Sequence, residues 1–126
     1  MLVILLAAAA IAHPAPAWTS CTGKTAVRPH SIVLACGDGN FYADHLRWTS
    51  WTAKSATAAG TGHQNDCKPY CAAGHFHAYP IAIRLSKVVT CHGRRSFALV
   101  RWRWTEPTPK LKGVARKGSE TLPCSP

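Results

Sequence analysis

The sequence predicts an all-β domain, a small disulfide-stapled antiparallel sandwich or barrel with an irregular basic C-terminal tail. Three observations carry this. Apolar residues alternate with polar ones in several short segments separated by Gly, Asn and Pro turns. No apolar stripe of helical period runs for a useful length, and six cysteines sit in only 126 residues. That length suits one domain, and 47% hydrophobic residues is too many for a disordered chain.

The first segment sets the expected compartment. Leu2 to Leu6, the alanines that follow and Ile11 form an apolar run, and Ala15-Pro16-Ala17 supplies small residues at −3 and −1 of a signal-peptidase site. Residues 1–17 therefore read as a secretory signal cut before Trp18, although no Lys or Arg precedes the run. The run is shorter than the ~20 residues a membrane helix needs, so the mature chain is expected to be secreted, with no transmembrane segment. It divides into a β domain, 18–106, and a basic Pro- and Gly-containing tail, 107–126.

All six cysteines follow the cut, and an even count in an oxidising compartment implies disulfides. Sequence alone leaves the connectivity open. Pairing between neighbours gives Cys21 with Cys36, Cys67 with Cys71, and Cys91 with Cys124.

Along the mature chain, Ser31 to Cys36 is a β-branched run ending at the turn Gly37-Asp38-Gly39-Asn40. His45 to Thr52 follows as a strand, in which Trp48 and Trp51, three apart, would point to opposite faces if it is regular. Ala56 to Gly62 suits a flat strand or loop, and His63 to Gly74, with Asn65, Asp66 and Pro69, suits a long loop. Tyr79 to Val89 alternates clearly, with Ile81, Ile83, Leu85 and Val89 on one face and Arg84 and Ser86 on the other. Ser96 to Thr105 alternates again, setting Ala98, Val100, Trp102 and Trp104 opposite Arg101 and Arg103. Beyond Glu106 there is no periodicity, and an extended tail tethered by Cys124 is expected.

The run Arg28 to Asn40, the segment Leu46 to Trp51, the stretch Asn65 to Gly74 and Tyr79-Pro80 together resemble uncharacterised small secreted cysteine-containing proteins of actinobacteria. The resemblance covers about Cys21 to Lys87 and fades in the basic C-terminal third. It implies export and a disulfide-bonded β domain, and supplies no catalytic residues.

Candidate sites follow from residue chemistry. His75 and His77 at strand spacing, with a third ligand from His63 or Asp66, would chelate copper or zinc; the competing expectation is surface histidines beside a disulfide, with no cofactor. Asp38, Asn40 and Asp44 copy the start of a calcium loop, but Thr49 stands where a bidentate Glu is required, so a plain turn is expected. The few carboxylates and the lack of a Gly-x-Ser-x-Gly elbow argue against a two-carboxylate glycosidase or a serine hydrolase.

Basic residues concentrate late: Ile81 to Pro126 holds ten Lys or Arg against two Glu, in a chain of net charge +10. Arg94, Arg95, Arg101, Arg103, Lys110, Lys112, Arg116 and Lys117 are the candidate anion-binding residues, for an anionic envelope polymer or nucleic acid. The leading expectation is a secreted, non-enzymatic binding domain at the cell envelope or outside the cell. The alternative is a small basic secreted hydrolase of the ribonuclease kind, using a histidine pair with Lys or Arg.

Overall fold

Short turns between alternating segments let each strand pair with the next in the chain. In the computed structural model, which describes residues 14–123, β3 (Ile32–Val33), β4 (Phe41–Trp51), β5 (Ala56–Asn65), β6 (Phe76–Cys91), β7 (Arg94–Trp104) and β8 (Lys117–Thr121) form one six-stranded antiparallel sheet in that order. The antiparallel sheets make a half-barrel. A second ribbon pairs β1 (Trp18–Thr19) with β2 (Thr25–Ala26). It joins the main sheet where the Ala17 N–H donates to the Arg95 carbonyl and the Phe97 N–H donates to that of Ala17, both at 2.9 Å.

The core lies on one face of the sheet. Phe41, Ala43 and Leu46 of β4, Ala56 and Ala58 of β5, Ile81, Ile83 and Leu85 of β6, and Val100 and Trp104 of β7 are buried together. The alternation in β6 and β7 is what places them there. In β5 the inward positions continue as Gly60 and Gly62; a Cβ at Gly62 would stand 2.5 Å from the Trp104 ring. Glycine is required so that the indole can lie across the strand.

Several expectations are corrected. Trp48 and Trp51 do not diverge, because β4 slips register between Asp44 and Arg47 and again between Trp48 and Ser50. The extra residues put both indoles on the core side, packed edge to face at 4.7 Å. Trp51 donates its buried Nε1–H to the Pro16 carbonyl, and Trp48 donates to that of Pro29, each at 2.8 Å. In β6 the alternation breaks at Lys87, whose φ is +56°, so Val89 is exposed; across the sheet Phe97 rather than Ala98 enters the core.

His63 to Asn65, expected in a loop, extend β5 instead. The region expected to be an irregular tail contains β8, paired with Leu99 to Arg103 of β7, and buries Leu122. Four of the five β8 residues are exposed, so this edge strand carries no apolar alternation and is held by backbone pairing.

The disulfides Cys21–Cys36 and Cys67–Cys71 are formed as expected. Cys124 of the third expected pair and residues 1–13 of the expected signal lie outside the described residues. Ala15-Pro16-Ala17, read as the cleavage site, ends in two residues built into the core: Pro16 is fully buried and Ala17 is bridged to Ser96. Among the described residues no helix is long and apolar enough to cross a membrane.

Candidate anion-binding site

The face of the sheet away from the core is set by β5, which is regular from Ala56 to Asn65. Its outward residues are Thr57, Ala59, Thr61 and His63, since the alternate positions point at the core. Cross-strand register then defines rows. One row runs Thr57, Arg84, Arg101, Ser119 from β5 to β8; the next runs Arg47, Ala59, Ala82, Arg103, Lys117 from β4 to β8. Long cationic side chains thus flank a floor of two alanines. An open groove of about 880 Å³ results, lined by Arg84, Arg101, Arg103 and Lys117 with the hydroxyls of Thr49, Thr57 and Ser119.

This cluster carries uncompensated charge. No carboxylate lines the groove, and among the described residues the ion pairs are His–Asp contacts without Lys or Arg. Arg84 and Arg101 stand directly opposite one another, an arrangement that destabilises a sheet. Chemically the groove can neutralise and hydrogen-bond several anionic groups at once.

No family model, curated protein or solved structure matches the chain. The site therefore stands on its geometry, together with two disulfides of the kind that persist in oxidising compartments.

Of the cations singled out from sequence, the structure gathers Arg101, Arg103 and Lys117 in the groove. Arg94 and Arg95 lie at the far end of β7, where Arg95 donates to the Ala53 carbonyl at 3.2 Å, and Lys110, Lys112 and Arg116 fall in the β7–β8 connection. Arg84 is the lining cation that the sequence does not single out. Alternation places Arg84 on the polar face of its strand, but only register shows that Arg101 stands opposite.

The histidines singled out as metal ligands, His63, His75 and His77, are not brought together into one group. His63 points away from the core and its Nε2 lies 2.8 Å from Asp44 Oδ1; His77 pairs with Gln64 on the other face and its Nε2 lies 2.9 Å from Asp66 Oδ2. His75 lies just before β6, where its carbonyl accepts the Asp66 N–H at 3.0 Å. Among the described residues no three His, Cys, Asp or Glu side chains are grouped to hold a metal ion. Nor is there a calcium loop: Asp38 Oδ1 accepts the Asn40 N–H at 3.0 Å in a plain turn.

Asp44 also accepts from His45 Nδ1 at 2.8 Å. Burial pushes its carboxyl pKa up, and the two imidazole hydrogen bonds outweigh this and hold it below the usual range. Asp66 is held well below that range by its hydrogen bond from His77, then by the backbone N–H groups of His75 and Lys68.

Proposed function

We propose that the protein is an extracellular β domain that acts by binding, and that the groove between β4 and β8 takes an anionic polymer, an envelope polymer or a nucleic acid. The convergence of Arg84, Arg101, Arg103 and Lys117 without a carboxylate carries this reading. The lining strands are five adjacent ones, so the groove spans about 19 Å at ~4.8 Å per strand. The four cations stand on β6, β7 and β8, within about 10 Å at ~4.8 Å per strand, and a chain of anions running along the groove passes all of them. The apolar leader and the resemblance to secreted actinobacterial proteins support export.

The hydrolase reading requires two histidines with a Lys or Arg lining one cleft. Among the described residues the groove has the cations and no lining histidine, so binding is the reading adopted. The test is titration of the protein with inorganic polyphosphate at low and physiological salt. Counterion release predicts affinity that falls steeply as salt rises. Absence of binding at low salt, or affinity indifferent to salt, would refute the proposal.

A further inference from the structure

The outward face of the sheet does not end at the groove. Along β5 the outward residues continue from Ala59 to Thr61 and His63; along β6 they run from Ala82 through Pro80 and Ala78 to Phe76. This strip of small side chains leads from the cations to a group of aromatic rings. Tyr42 stacks on its cross-strand partner His63, with ring centroids 4.5 Å apart and planes 10° apart. Phe76 packs against Tyr42 at 5.5 Å and remains 47% exposed, so the group presents an open aromatic ring to solvent.

We infer that the anionic polymer is a single-stranded nucleic acid, its phosphates held by Arg84, Arg101, Arg103 and Lys117 and its bases stacked on Phe76 and Tyr42. The inference rests on the anionic-polymer reading above and adds a second, independent feature of the same face. Single-strand binders combine a cationic track with aromatic platforms, and both must lie on one surface. Trp102 and Trp104 cannot serve, because they turn to the core opposite Arg101 and Arg103. Tyr42 and Phe76 meet the requirement that those tryptophans fail.

The dimensions agree. From Arg103 on β7 to Tyr42 on β4 is three strand spacings across and four residues along, a diagonal of roughly 19 Å, within the span of the ~4–16 nucleotides that such folds cover. The carboxylate on this path, Asp44, has its Oδ1 taken up by His45 Nδ1 and His63 Nε2 at 2.8 Å each. Every base presents a π-face to such rings, which the sugars of a phosphorylated or sulfated polysaccharide lack.

The experiment compares three probes by fluorescence anisotropy on the oxidised protein: an oligothymidylate of about a dozen nucleotides, an abasic strand with the same backbone, and inorganic polyphosphate. The oligothymidylate is expected to bind at least about fivefold tighter than the abasic strand, the range expected for base stacking. Phe76→Ala with Tyr42→Ala should abolish that advantage and leave polyphosphate affinity unchanged, which also shows that the variant is folded. Phe76→Ala alone, at the more exposed ring, should remove part of it. Equal affinity for the thymidylate and abasic strands, or an advantage that survives the double variant, overturns this inference and leaves polymer binding intact. Failure of all three probes to bind overturns both.

Discussion

Arg84 of β6 and Arg101 of β7 are direct cross-strand partners, and no carboxylate lines the groove they share. Like charges so placed destabilise a sheet by roughly 0.2–1 kcal/mol, which a sequence selected for stability alone would have removed. Arg84→Gln should therefore raise the melting temperature by a few degrees at low salt while weakening polyphosphate binding. The gain should fade at high salt, where exposed charges are screened. Thermal unfolding of both proteins at two ionic strengths checks this, and a variant less stable at low salt would contradict it.

Pro16 and Trp51 are joined by a buried hydrogen bond of 2.8 Å, and Ala17 is bonded to Arg95 and Phe97. A chain beginning at Trp18 would lose these bonds and strand a buried indole N–H, at a cost of about 1–3 kcal/mol for the unpaired group. An exported form is thus expected to be cut before Pro16; Ala10-Ile11-Ala12 also offers small residues at −3 and −1. Intact mass of secreted protein gives the answer. A start at Trp18, with stability equal to that of a chain retaining Pro16 and Ala17, would show that these bonds do not matter.

Asp66 fastens the loop after β5 to the start of β6 through His77 and the backbone of His75 and Lys68. Its folded-state pKa is depressed, so the stability it confers is complete above the ordinary carboxylate value of about 3.9 and is lost as pH falls through the lower folded value. Asp66→Ala should be less stable than the parent at pH ~5, with the difference narrowing towards pH ~2. Denaturant midpoints at the two pH values measure it, and a constant difference would assign the loss to packing instead.

The sequence exposed much of the fold because its physics is local. Ile81, Ile83 and Leu85, and Val100 with Trp104, declared their buried faces by strict alternation, and Cys21–Cys36 and Cys67–Cys71 close over short separations. What stayed hidden depends on pairing. The slips in β4 that bring Trp48 and Trp51 together have no composition signal, and Lys117 to Thr121 pair through backbone alone. The groove was half visible: Arg101 and Arg103 shared a face by period, but their joining to Arg84, Arg47 and Lys117 requires a register between strands distant in sequence. Tyr42 and Phe76 are 34 positions apart, and only the path of β5 between them brings their rings to 5.5 Å.

The groove, rather than overall charge, is held to bind the polymer, and two variants of identical net charge separate these ideas. One carries Arg84→Gln, Arg101→Gln, Arg103→Gln and Lys117→Gln; the other carries Arg94→Gln, Lys110→Gln, Lys112→Gln and Arg116→Gln. The measurement is the slope of log affinity for polyphosphate against log salt. For the groove variant the slope should shrink by roughly 0.7 for each cation lost, about 3 in all, with most of the low-salt affinity gone, while the other variant stays near the parent. Equal losses in the two variants would contradict the account and make binding a property of the whole basic surface.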